Sequence, residues 1–255
     1  MRKLLKIRHW VQLTFFIISS FLFYLFISNT LLIIHKFCPY SLICFGTISL
    51  KQGFYLYPLS FLIFAILTAL VAWFGRFFCG FICFLGTYQE YLYKLIHRET
   101  RHFIKIDHKK EIVFGSLKYI VFLATIILSF MGLSRIFMGF CPIVAIGWIK
   151  SIGLASIIIL AIITIAGALI ERFWCRFLCP YAALMNIISY LGKILRIQAF
   201  YIQITKSSCL NCGLCNKACP MNIDLTKDPI IKNPNCIKCM RCIEECPTID
   251  AINWR

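Results

Sequence analysis

The sequence predicts an all-α membrane domain, with four crossing helices arranged as two parallel two-helix repeats, followed by a small α+β cysteine-rich module. Three observations predict this. The 255-residue chain is 60% hydrophobic with a mean hydropathy of +0.82, more apolar than a soluble globular domain. Four apolar runs, 10–34, 54–74, 112–133 and 152–170, are long enough for a hydrocarbon core that takes about 20 helical residues. Eight of the fifteen cysteines fall within 209–246, in two copies of one spacing. The boundaries that follow are a first repeat over 1–105, a second over 106–200 and the module over 201–255.

Taken in order, the chain opens on the basic residues Arg2, Lys3, Lys6 and Arg8. The first apolar run is too long for a signal-peptide core and carries no small-residue cleavage pattern. A spanning backbone must satisfy its own hydrogen bonds, so the four runs are helices. Only the third contains a charge, Lys118, expected to snorkel to the interface. Basic residues favour one side: four in the leader, seven between the second and third runs and four after the fourth, against four in the two remaining loops. That asymmetry places both termini and the module on the cytoplasmic side of the cell membrane. It also assigns the +17 net charge to membrane topology rather than to nucleic acid.

The membrane part repeats internally. Each copy reads helix, Phe-Cys-Pro (at Cys38 and at Cys141), helix, an Arg-led C-x₃-C motif and an amphipathic stretch. With two spans in each, the copies share one orientation and are related by an axis near the membrane normal. Cys79 and Cys83 in the first copy, and Cys175 and Cys179 in the second, stand four apart, a spacing that projects from one side of a helical turn. Brought together at the cytoplasmic edge, four thiolates suit an iron–sulfur cluster or zinc. Arg76, Arg172 and Arg176 beside them would offset the charge of such a cluster or anchor helix ends in the headgroup layer. Cys38 and Cys141, at the outer ends of equivalent helices, could pair as a disulfide, ligate an outer-face cofactor or simply precede helix-ending prolines. Glu171 is expected to pair with a neighbouring arginine, and no glycine pattern for nucleotide binding occurs.

The module carries C-x₂-C-x₂-C-x₃-C-P from Cys209 and again from Cys236. This is the bacterial ferredoxin run, in which the fourth cysteine of each half ligates the other cluster. Cys209, Cys212, Cys215 and Cys246 are therefore assigned to one [4Fe–4S] cluster, and Cys236, Cys239, Cys242 and Cys219 to a second. Such clusters fit a reducing compartment, in agreement with the orientation.

Four spans, two C-x₃-C motifs and a trailing double ferredoxin run resemble the NapH/NosR/CcoG-type membrane polyferredoxins over about residues 10 to 250. The most diagnostic match is C-x₃-C-P at Cys175, Cys179 and Pro180. The first motif departs from that family's pattern with Phe84 in place of proline, and the second continues Tyr181-Ala182-Ala183 where Gly-Ala is usual. The lack of a large outer flavin-binding domain favours the smaller, NapH-like kind. The resemblance implies an electron-transfer component, quinol dehydrogenase-like, that passes electrons between quinone and partner redox proteins. Its expected partners are membrane lipid, other subunits of a redox complex, and quinone or a soluble carrier; its cofactors are two [4Fe–4S] clusters, a further cluster at the edge cysteines and quinone. Two other readings stay open: a transmembrane conduit to an outer flavin or metal partner through Cys38 and Cys141, and a metal reductase or metalloprotein assembly factor.

Overall fold

The computed structural model describes residues 2–26, 40, 43, 58–97, 108–133, 141–142, 154–248 and 251–254. Helices occupy the apolar runs: α1 (Arg2–Phe26), α2 (Pro58–Phe74), α5 (His108–Phe130) and α6 (Leu154–Leu169). Among the described residues one helix, Lys110–Phe130, is long and apolar enough to cross a membrane, while Phe61–Phe74 and Ile157–Leu169 are shorter apolar helices. Of the four expected spans, then, one has full crossing length in the described residues. The first expected run continues beyond α1 into residues outside them.

The C-x₃-C motifs are not single helical turns, as their spacing suggested. In the first copy a short α3 (Phe77–Phe81) stops, and Cys83, in extended backbone, caps α4 (Phe84–Ile96). In the second, a π-helical turn (Trp174–Leu178) stops and Cys179, also extended, caps α7 (Pro180–Ile194). The same bond closes both breaks: Cys83 N–H donates to the Phe78 carbonyl at 3.1 Å, and Cys179 N–H to the Trp174 carbonyl at 2.9 Å. These bonds reach back five residues, the π-type closure that redirects a chain within one turn. Pro180 at the first position of α7 costs no hydrogen bond, and Phe84 serves the same position without one.

The two copies exchange partners. The apolar α2 of the first packs on α7 of the second, and α6 of the second packs on α4 of the first. Within each copy, α1 packs on α4 and α5 on α7. Gly192 permits the closest of these approaches, since a Cβ there would lie 2.5 Å from the Ala72 carbonyl oxygen. Swapped pairing of this kind brings the ends of α3 and the π turn, and therefore both cysteine pairs, toward one centre.

The module holds an antiparallel pair, β1 (Ile202–Ile204) with β2 (Ile252–Trp254), in register Ile202↔Trp254 and Ile204↔Ile252. Two short helices, α8 (Leu214–Ala218) and α9 (Arg241–Glu244), pack on each other. One buried cluster joins Val71, Cys79 and Met185 of the helical part with Ile202, Ile237 and Cys239 of the module. Lys118 departs from expectation here. Rather than snorkelling to the interface it is 1% exposed and donates to Asn235 Oδ1 of the module at 2.5 Å, because the module covers that face of α5.

Candidate iron–sulfur sites

The two ferredoxin half-motifs fold alike. Asn211 and Gly213 take left-handed φ of 51° and 71°, and the matching Lys238 and Met240 take 54° and 61°. Alternating left-handed residues turn the backbone N–H groups of each loop inward, the arrangement that receives an anionic group. Glycine takes that conformation freely; Met240 holds it at a cost of about 1–2 kcal/mol, so the second loop is fixed by its surroundings rather than by its own preference.

Cys209, Cys212, Cys215 and Cys246 line one cavity together with Pro247. Burial pushes the Cys215 thiol up, and Cys209, Cys246 and Cys212 add to the rise. In the other set, burial first and then Cys239 and Cys236 push Cys219 up to about 12, while Cys242 is raised by burial and by Cys239, Cys236 and Cys219. Cys212 is exposed, whereas Cys239 and Cys242 are buried. The first set therefore faces outward and the second faces the helical domain.

At the C-x₃-C motifs, Cys79 and Cys175 are buried and Cys83 and Cys179 half-buried. Three of these thiols register their neighbours. Burial pushes Cys175 well above the usual thiol range, reinforced by Cys83, Cys179 and Cys79. Burial also lifts Cys179 to about 12, against the Ala182 N–H, with Cys83 and Cys79 adding to the rise. Cys83 is raised by burial and Cys79, against the N–H groups of Gly86 and Leu85. Cys83 and Cys179 thus sit on the N-termini of α4 and α7, where free N–H groups and the helix dipole favour negative charge.

Cations converge on this set. Arg172, fully buried, donates to the Cys79 carbonyl at 2.5 Å and to Glu90 at 2.6 Å. Arg76 donates to Asn186 Oδ1 at 2.8 Å, while its Nε and Nη2, and Nε of Arg172, are buried with no protein partner. Arg176 instead turns away to a bidentate pair with Glu111 on α5. Of the three arginines the sequence placed beside a cluster, two face the thiols. Guanidinium N–H groups left without acceptors beside four thiols fit an anionic, thiolate-ligated group. Among the described residues no His, Cys, Asp or Glu group is gathered tightly enough to hold a single metal ion.

Edge site and module are joined directly. Gly80 lies on the Ile237 carbonyl, with a virtual Cβ 2.4 Å from that oxygen and 3.7 Å from the Cys239 Cα. Around this contact, Asn186 links Arg76 to Asn235 at 2.8 Å, and Asn235 receives Lys118. Glu171 does find an arginine, but it is Arg241 of the module, at 2.5 Å. Cys141 is half-buried, and Cys38 lies outside the described residues, as does any pairing between them.

Sequence reasoning gave Arg8 no site role and passed over Gln12 and Glu90; the fold sets Arg8 and Gln12 on the Gly80 carbonyl and Glu90 as the acceptor of both. The available signal was Glu90 itself, a lone acid in an otherwise basic and aromatic stretch, four residues before Lys94.

A family model described as a 4Fe-4S binding domain matches residues 56–101 and again 152–198, each match enclosing one C-x₃-C motif. A 4Fe-4S dicluster domain matches 201–247. Fold, sites and these matches define a mostly helical 4Fe–4S protein of ferredoxin type, with two [4Fe–4S] clusters in its C-terminal module. Among named proteins the chain is similar to YccM of Escherichia coli (strain K12), a protein provisionally named for electron transport. It is 26% identical to YccM over 185 residues, covering 69% of this chain and 50% of YccM. It is also similar to the uncharacterized protein MJ0750 of Methanocaldococcus jannaschii, 29% identical over 184 residues, 71% of this chain and 72% of that one. Protein NirI of Paracoccus denitrificans is 29% identical over 201 residues, 75% of this chain but 28% of NirI. The chain thus spans about half of YccM and under a third of NirI. No solved structure matches it significantly.

Proposed function

We propose that this protein is a membrane-bound iron–sulfur electron-transfer subunit, NapH-like in kind, passing electrons between a membrane quinone and partner redox proteins. The observation that carries the reading is the contact of Gly80, next to Cys79, with Ile237, two residues before Cys239. Bound clusters supply reversible one-electron exchange. What the chain contributes is their placement. Cys79, Cys83, Cys175 and Cys179 would hold an edge cluster, Cys236, Cys239, Cys242 and Cys219 the next, and Cys209, Cys212, Cys215 and Cys246 an outer one open to soluble carriers. The similarity to YccM and the 4Fe-4S family matches support electron transport as the general role.

Two features support a membrane quinone. An apolar cavity of about 560 Å³ lies between α2, α3 and the module, lined by Phe74, Phe77, Phe81, Phe200, Trp254 and Lys238. Its size and apolar walls suit a small hydrophobic ligand, and Phe78 and Lys238 place it one residue from Cys79 and from Cys239. The helix Lys110–Phe130 also presents Ile112, Val113, Ile120 and Leu123 outward, as a lipid-facing surface would. With the basic-residue asymmetry, these favour the cytoplasmic membrane with termini and module inside. Iron counting with EPR on the purified protein tests the assignment. Two ferredoxin clusters give about eight irons and an edge cluster about four more; the additional signal should vanish in Cys175→Ser. A count of eight that Cys175→Ser leaves unchanged would refute the edge cluster, and quinol analogues that reduce no cluster would refute the quinone.

A further inference from the structure

Outside the cysteine sites, the most developed polar construction in the described residues is centred on Glu90 in α4. Its side chain is 1% exposed and accepts from Arg8 at 2.5 Å, Arg172 at 2.6 Å, Lys94 at 3.0 Å and Gln12 at 3.3 Å. Three of these donors have a second task. Arg172 also holds the Cys79 carbonyl at 2.5 Å, and Arg8 and Gln12 hold the Gly80 carbonyl at 3.2 and 2.9 Å. One carboxylate, then, organises the donors that fix Cys79, itself an edge thiol, and Gly80, which meets Ile237. Ordinary helix surfaces do not bury an acid among three cations. A buried charge costs several kcal/mol in desolvation unless its partners are well placed, so the arrangement is maintained by the whole set.

We infer that Glu90 is a positioning and charge-setting residue for the edge site: it locks the Cys79–Gly80 segment in place through Arg172, Arg8 and Gln12, and it keeps those cations from making the site too easily reduced. The inference rests on the edge cluster proposed above. Without Glu90, Arg172 would present uncompensated positive charge beside Cys83 and Cys175, and Arg8 would do so at the adjoining Gly80 carbonyl. In a buried setting such charge is weakly screened and favours the added electron. The leader helix α1 thereby becomes part of the redox centre, since Arg8 and Gln12 reach it through Glu90 and Gly80.

The test uses the full-length purified protein. Glu90→Gln keeps the shape and removes the charge. Its edge-cluster signal in an EPR redox titration should shift to higher potential by about tenfold in the reduction equilibrium, ~59 mV for one electron, with the two ferredoxin signals unmoved. Hydrogen exchange of the 77–83 amides should accelerate severalfold in the same variant. Glu90→Asp, which keeps the charge but shortens its reach, should accelerate exchange while leaving the potential near that of wild type. Equal potentials in wild type and Glu90→Gln overturn the charge-setting role, and equal exchange overturns the positioning role. Wild type lacking the edge signal altogether would refute the cluster reading instead, and the exchange comparison would still decide whether Glu90 positions the loop.

Discussion

Gly80 and Ile237 meet with no room for a side chain: a Cβ on residue 80 would stand 2.4 Å from the Ile237 carbonyl oxygen. The obstructing atom is backbone, held within the loop that carries Cys236 and Cys239, so it cannot rotate away. Gly80→Ala should therefore push the module off the helical domain. Overpacking of this kind costs about 1–3 kcal/mol. A lowered melting temperature together with slower electron passage into the module is expected. An unchanged melting temperature would show that the two loops are not in contact.

Lys118 and Asn235 give an asymmetric pair. Lys118→Met removes a buried cation, while Asn235 Oδ1 keeps its bond from Asn186 at 2.8 Å; the loss should be about 1 kcal/mol. Asn235→Leu strands the Lys118 ammonium, 1% exposed, without that acceptor, and should cost about 3 kcal/mol or more. Chemical unfolding of the two variants checks the order. Equal losses would place Lys118 in contact with water or lipid headgroups instead.

Access should differ between the two ferredoxin sites. Cys212 is exposed and Leu210 beside it is 71% exposed, whereas Cys239 and Cys242 are buried against the helical domain. A hydrophilic oxidant or iron chelator should bleach the Cys209–Cys246 cluster well before the other, followed by time-resolved EPR. Loss of both signals at one rate would contradict the outward placement of the first site.

Acid should act through Glu90. Burial opposes its ionisation, but Arg172, Arg8 and Lys94 outweigh burial and hold the carboxyl well below the usual carboxylate range. A depressed folded value means that its contribution is fully present above the unfolded value of about 4.3 and is lost as pH falls through the folded one. The melting-temperature gap between wild type and Glu90→Gln should be constant from about pH 5 to 8 and narrow progressively as pH falls below about 4. A gap that instead closes on the alkaline side would show that the carboxylate is not the stabilising form.

The ferredoxin module was legible in the sequence because three cysteines of each half-motif lie within seven residues, Cys209–Cys215 and Cys236–Cys242, so that the local spacing carries most of the pattern. The repeat was legible for the same reason, as two copies of one local pattern. The turn inside each C-x₃-C motif was not, since the five-residue closures at Cys83 and Cys179 depend on where the following helix must go. Nor was the role of Lys118, whose surroundings are decided by a module more than a hundred positions away.

Glu90 marks the limit most clearly. Arg8 and Arg172 each stand 82 positions from it, one on either side, and no local spacing relates them. Residue type and interval determined which thiols could share a cluster. The exchange of partners between the two repeats decided which charges stand beside those thiols, because a buried acid keeps its charge only where folding delivers its cations together.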